Sequence, residues 1–205
     1  MTQQLQQDYY TTIEEGATAE FRDRGSQFIG ITLPVSSVED FKEKLAAIKK
    51  QHPKAAHHCF AYRIGLDGNL FRASDDGEPS GSAGRPILGQ IDSHQVTNIL
   101  IVVVRYFGGT LLGVPGLINA YKTTASLALQ VTRFVQKPVL VNYTIQFDYT
   151  QMNDVMRIIK QYDCLVLRNE MQLFCVLEAG IPRNRKDEVV YMLKEIRGVE
   201  VTPVA

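Results

Sequence analysis

The chain has 205 residues, enough for one domain or for two small ones that each bury a core. Hydrophobic residues make up 45% and charged residues 21%, a balance that excludes extended disorder. The 22 basic and 22 acidic side chains cancel, so no global field draws the chain to nucleic acid or membrane.

The opening as far as Glu15 is polar and without periodicity, and reads as frayed or as an edge addition. It lacks the basic start and apolar core of a signal peptide, and no apolar run approaches the roughly 20 residues that span a bilayer. Cys59, Cys164 and Cys175 are odd in number, form no CxxC pair and lie in apolar runs, as buried thiols of a reducing compartment do. A cytoplasmic protein without membrane contact is expected.

Phe21 to Leu33 reads as two short strands turning at Asp23-Arg24-Gly25, closed by Pro34. Ser36 and Glu39 stand at capping-box spacing, and Val38, Phe41, Leu45 and Ile48 follow at helical steps to about Gln51. His57 to Ile64 alternates as a strand, with His58, Phe60, Tyr62 and Ile64 on one face and His57, Cys59, Ala61 and Arg63 on the other. Asp67-Gly68-Asn69 turns it into a second strand, Leu70 to Ala73. The segment Ser74 to Pro86, SDDGEPSGSAGRP, is too polar for a core and too glycine-rich for a regular element, and a short helix follows from Arg85 to Ser93.

Ile99 to Val104 is an unbroken β-branched and leucine run, the pattern of a strand buried on both faces. It leads through Arg105, Tyr106 and Phe107 into Gly108, Gly109 and Gly113. After Pro115, apolar positions from Leu117 to Val131 recur at helical spacing, predicting a helix that ends near Phe134. Lys137-Pro138 is the expected domain boundary, giving 1–137 and 138–205. A cut at Lys137 leaves 14 basic against 13 acidic residues before it and 8 against 9 after it, so neither domain is basic.

Beyond the boundary, Val139 to Phe147 reads as a strand. A helix capped by Asp148 or Thr150 carries Met152, Val155, Ile159 and Tyr162 inward. Cys164–Leu167 and Leu173–Leu177 are expected to pair around a turn at Arg168-Asn169-Glu170. A helix with Pro182 in its first turn ends at Gly198 before a last strand, Val199 to Val204. The order β-α-β-β-α-β predicts a ferredoxin-like domain, and the fold class is α+β.

Three groups of residues offer chemistry. His57 and His58 point to opposite faces of one strand and cannot serve one ion together without a bulge, whereas His57 and Cys59 share a face and remain open as ligands; structural or hydrogen-bonding histidines are favoured and no metal site is expected. Asp75, Asp76 and Glu78 could bind a cation or act as a general base, and Asp and Gly are equally what turns are made of, but with Ser74, Ser80 and Ser82 the loop is richer than a turn needs. The strand–glycine loop–helix from Arg105 to Gly116 offers backbone N–H groups to an anion. Arg105 could clamp a phosphate while aromatics stack on a base, or pair with an Asp of the acidic loop; the two readings are not exclusive. No GxGxxG or GxxxxGK[ST] motif supports standard nucleotide binding. Arg183, Arg185 and Lys186 read as a solvated helix face.

Three segments, HHCFAY at His57–Tyr62, SDDGEPSGSAGRP at Ser74–Pro86 and VVVRYFGGTLLG at Val102–Gly113, resemble the IMPACT/YigZ family of bacterial and eukaryotic proteins. The resemblance implies a first domain like domain IV of elongation factor G, shared with a small-subunit ribosomal protein, and a second like its domain V. Both relatives touch the ribosome, and eukaryotic members restrain the kinase that senses uncharged tRNA through an additional N-terminal domain, which some twenty polar residues are not expected to supply. The resemblance carries no catalytic residues and no cofactor. The expectation is a non-enzymatic binding or regulatory factor of translation, with RNA, the ribosome or a regulatory protein as partner. Its binding face is His57, His58, Ser74, Asp75, Asp76, Glu78, Ser80, Ser82, Arg105, Tyr106, Gly108, Gly109, Gly113 and Tyr121. The alternative is a small-molecule enzyme acting on a phosphorylated substrate through a carboxylate or metal site.

Overall fold

In the computed structural model the described residues are 8–171 and 174–204. The chain divides into two units, one of Tyr10–Gln136 and one of Met1–Tyr9 with Lys137–Ala205.

The first unit is built on the sheet order β2-β3-β6-β4-β5, from Ala17–Asp23 (β2), Ser26–Pro34 (β3), His57–Ile64 (β4), Leu70–Ser74 (β5) and Ile99–Tyr106 (β6). Every adjacent pair is antiparallel. Strand β6 lies at the centre, between β3 and β4, and the apolar run explains why. Ile99, Ile101 and Val103 enter the core beneath helices α2 (Gly84–Ser93) and α3 (Gly113–Gln130). Leu100, Val102 and Val104 enter a second core beneath α1 (Val38–Gln51). All six are fully buried, and each such side chain contributes on the order of 1.5–3 kcal/mol. Alternation along β4 divides in the same way, with Cys59 and Ala61 on the α2/α3 side and Phe60, Tyr62 and Ile64 on the α1 side. Helix α3 approaches the sheet closely at Gly30, where a Cβ would lie 2.9 Å from the Thr124 carbonyl oxygen.

In the second unit, β8 (Leu140–Asp148), α4 (Met152–Gln161), β9 (Leu165–Met171), β10 (Phe174–Pro182), α5 (Lys186–Lys194) and β11 (Glu200–Pro203) follow in sequence. The antiparallel sheet has the order β11-β8-β10-β9. Ile145, Phe147, Leu177 and Ile181 pack with Val155, Ile159, Val189 and Leu193 on its helix-covered side. No helix among the described residues is long and apolar enough to cross a membrane.

Several local expectations change. Of the two readings of the opening stretch, frayed or an edge addition, its described part follows the second: Tyr9–Ile13 is strand β1, paired with β7 (Phe134–Pro138), and Ile13 is buried in the core. Residues 1–7 of that stretch lie outside the described residues. The cap of α1 is Ser37, whose hydroxyl accepts the Asp40 N–H at 3.1 Å, one residue beyond the expected Ser36–Glu39 pair. Helix α3 begins at Gly113 with Pro115 in its first turn and ends at Gln130, so Phe134 opens β7 instead of closing the helix. Neither Asp148 nor Thr150 caps α4 by its side chain; a 3-10 turn, Tyr149–Gln151, leads into it. Arg168, Asn169 and Glu170 extend β9 and do not turn it, and the expected strand start at Leu173 lies outside the described residues. Pro182 ends β10 ahead of the helix.

Candidate functional site

Strand pairing brings the charged and polar residues together on the α2/α3 side of the first sheet. Arg105 lies opposite both Phe28 and His57 in register, at the end of the buried run of β6. The loop after β5 then folds back over it. Glu78 from that loop accepts hydrogen bonds on one carboxylate oxygen, Oε1, from Arg105 Nη1 at 2.5 Å and from the Tyr121 hydroxyl of α3 at 2.7 Å. His57 Nε2 stands 3.8 Å from the same oxygen. Both Glu78 and Arg105 are buried, Arg105 with only 5% of its surface exposed. The pairing of Arg105 expected with an Asp of the acidic loop is instead made with Glu78 of the same loop, and the buried pair removes Arg105 from direct contact with a phosphate. Arg105 Nη2 reaches the Ser26 hydroxyl at 3.5 Å, while Nε is buried without a hydrogen-bond partner among the described residues. The guanidinium lies between two rings, 5.4 Å from that of Phe28 and 5.5 Å from that of Phe107.

Asp75 and Asp76 are equally engaged, each in a different task. Asp75 accepts three backbone N–H groups, from Gly81 at 2.8 Å, Ala83 at 3.0 Å and Gly84 at 2.8 Å. Two of these are the first donors of α2, whose own cap position has no side-chain hydrogen bond, so Asp75 caps that helix from a distance. Burial raises the Asp75 carboxyl, but the N–H groups of Gly81, Gly84 and Ala83 outweigh it and hold the acid below the ordinary carboxylate range. Asp76, at φ +42°, accepts the His58 backbone N–H at 2.7 Å and the Lys49 ammonium at 3.2 Å. Its carbonyl accepts from His57 Nδ1 at 2.8 Å, and Nε2 of the same ring faces Glu78.

The remaining residues separate by face. Tyr121 is fully buried, and its phenol is pushed far up by burial and by its neighbours Cys59 and Glu78. Cys59, beside it, donates to the Asp75 carbonyl at 3.0 Å, and burial pushes its thiol up to about 12. Ser82 is buried and donates to the Pro79 carbonyl at 2.6 Å; Ser74 accepts the Asp76 N–H at 3.3 Å; Ser80 is exposed. His58 and Tyr106 fall on the opposite, α1 side of the sheet. His58 Nε2 donates to the His52 carbonyl at 3.1 Å, and burial lowers the imidazole below its ordinary value. Tyr106 shares a 2.9 Å hydrogen bond with His52 Nδ1. These two do not join the Glu78 cluster. Among the described residues no group of three or more His, Cys, Asp or Glu side chains is arranged to hold a metal ion.

What lies open is the turn out of β6. Phe107 is 51% exposed and Leu111 82%, and Gly108, Gly109 and Gly113 are exposed beside them. Gly108 donates its N–H to the Ser26 hydroxyl at 3.2 Å. It is pressed so closely against the β2–β3 turn that an added Cβ would come within 1.9 Å of the Gly25 carbonyl carbon. The exposed Arg24 belongs to that turn. Helix α3 starts from this loop with no side-chain cap, leaving first-turn N–H groups without one. Sequence reasoning overlooked Ser26, Phe28 and Lys49. Their roles come from strand register and helix placement, which no local motif encodes.

The comparisons with known proteins follow the same residues. A family model described as the Impact N-terminal domain matches residues 24–129, which span β3 through α3. "IMPACT family member YigZ" of Escherichia coli (strain K12) is 36% identical over 159 residues, covering 77% of this chain and 78% of that protein. "Protein IMPACT" of Rattus norvegicus is 35% identical over 100 residues, 46% of this chain and 31% of that protein. A solved structure described as "Crystal structure of an hypothetical protein" is similar with a TM-score of 0.79 at 30% identity, covering 97% of this chain and 98% of that one.

Proposed function

The chain belongs to the IMPACT family, and from that premise we propose that it is a non-enzymatic binding factor that acts in translation by contacting structured RNA, with the ribosome as its target. The observation that carries this reading is the exposed turn Phe107–Gly116. It combines an open aromatic ring, three exposed glycines and the uncapped start of an 18-residue helix. Backbone N–H groups at such a helix start suit a phosphate, and an exposed ring suits an unstacked base. Arg24, on the turn packed against Gly108, adds a cation at the same edge.

Arg105 and Glu78 have a positioning role in this reading. Their buried pair ties the loop of Ser74–Gly84 to the end of β6 and holds the back of the Phe107 ring. The committed carboxylates weigh against the small-molecule enzyme. Asp75 caps α2, Asp76 holds His58 and Lys49, and Glu78 neutralises Arg105, so each would have to give up an internal bond to serve as base or metal ligand. The first unit is read as the counterpart of domain IV of elongation factor G. The second is read as ferredoxin-like, which its strand order β11-β8-β10-β9 supports. A cytoplasmic location accords with this role.

The test is retention of ribosomal RNA. Purified protein is mixed with ribosomal subunits at low salt and sedimented, in its native form and as Phe107→Ala. Native protein in the subunit fractions, with several-fold less of the variant there, supports the reading. Equal sedimentation of the two moves the contact away from this turn.

A further inference from the structure

Strand β9 is one edge of the second unit's sheet, and all seven of its residues are exposed. Its inner side is paired to β10, and its outer side pairs with no strand among the described residues. Such an edge presents a row of backbone donors and acceptors to any incoming strand. Edges are commonly protected by proline or by charge of one sign, which repels a copy. Strand β9 has no proline and no run of like charge, and its bulge lies towards its start, at Leu167, leaving the stretch from Arg168 onwards regular. Leu165, Val166, Leu167 and Met171 are 53%, 40%, 48% and 59% exposed, and the only charges are one cation and one anion, Arg168 and Glu170, on either side of Asn169.

We propose that β9 is a self-association strand, which pairs antiparallel with β9 of a second copy of this chain across a two-fold axis at Asn169. A two-fold axis normal to the sheet preserves its faces, so opposed residues must be an even number of positions apart or identical. That condition leaves three registers centred on the polar segment. Centred on Arg168, the strands oppose arginine to arginine; centred on Glu170, they oppose glutamate to glutamate. Centred on Asn169, each Arg168 faces Glu170 of the copy and each Leu167 faces Met171. Opposite charges across strands favour a register, and like charges directly opposite disfavour it. Arg168 and Glu170 are already ion-paired within the chain, and Arg168 also lies 3.5 Å from Glu178, so all three share the face on which the cross-strand pairs form. The β9–β10 register shifts between Glu178 and Ala179, leaving Leu167 as the extra residue at the end of the regular stretch. The pairing therefore runs over Leu167–Met171 on each copy. Such a short contact gives a weak, concentration-dependent dimer. It joins two four-stranded sheets into one and stands apart from the ligand reading of the first unit.

Sedimentation velocity of the full chain across a wide concentration series tests this. The mass is expected to rise from 23.0 kDa towards twice that value. Glu170→Arg is expected to abolish the rise, because arginine then faces arginine, and the double variant Arg168→Glu with Glu170→Arg is expected to restore it. Under mild oxidation Asn169→Cys should cross-link to its own counterpart, since the two-fold axis places that position opposite itself. The substituted side chains are exposed, and circular dichroism checks that each variant keeps its fold. A chain that stays monomeric throughout, a dimer indifferent to Glu170→Arg, a double variant that remains monomeric, or a dimer in which Asn169→Cys fails to cross-link overturns the proposal.

Discussion

Removing the Glu78 carboxylate would leave Arg105 charged and buried, and the Tyr121 hydroxyl without its acceptor. Glu78→Ala is therefore expected to destabilise the fold by about 3–5 kcal/mol, the range for breaking a buried ion pair by removing one partner. Tyr121→Phe deletes one hydrogen bond to a charged group and should cost about 1.5–3 kcal/mol. Urea unfolding measures both, and a Glu78→Ala variant as stable as the native chain would show that the cluster does not secure the loop. Two groups beside the cluster contribute to the pH dependence. The folded imidazole of His58 titrates below its ordinary value because of burial, so the unfolded chain takes up the proton first as pH falls. That stability is fully present above about pH 6.5 and declines below it. Asp75 is held below the ordinary carboxylate range, with burial opposed and outweighed by the N–H groups of Gly81, Gly84 and Ala83. Its contribution is present above about pH 4 and is lost as pH falls through the folded value. Unfolding midpoints should show two declining limbs on acidification, the upper one flattened by His58→Gln and the lower one by Asp75→Asn.

At the scale of elements, Gly108 is the position where the turn meets the β2–β3 hairpin. Gly108→Ala sets a Cβ against the Gly25 backbone, so the turn must move. The expected result is several-fold weaker ribosome binding with the α1-side core intact. A thermal melt paired with the binding assay would separate the two effects, and unaltered binding would place the contact elsewhere. How far this was legible differs by element. The central strand was legible because six apolar residues in a row have few other solutions, and α1 was legible from its 3-4-3 spacing. The end of α3 was misread because Val131 and Phe134 continue an apolar pattern after the helix has stopped, one at its cap and the other in β7. The turn expected at Arg168-Asn169-Glu170 followed polarity alone, whereas an uncovered edge strand can be polar on the face where a turn would be. In the site, the composition of Ser74–Pro86 signalled that the loop had a task. Which carboxylate met Arg105 depended on how the loop folds back, and that is set by the Asp75 cap on α2, a contact nine residues apart in sequence for Gly84.

For the whole molecule, zero net charge constrains the mode of recognition. A neutral chain binds RNA through a few placed contacts, so its affinity should fall only modestly with added salt, unlike that of a basic protein that displaces many counterions. The second unit is consistent with that restraint. Glu170, Glu178 and Glu200 occur on its sheet with Arg168 as the nearby cation, a poor surface for phosphate. The RNA contact we propose is accordingly placed on the first unit, at the turn Phe107–Gly116. Co-sedimentation with purified ribosomal subunits at low and then moderate salt tests this most directly. The native chain should travel with the subunits at both, and Phe107→Ala should be largely left behind. Complete absence of the native chain from the ribosomal fractions at low salt, with no RNA retained on purification, would contradict it.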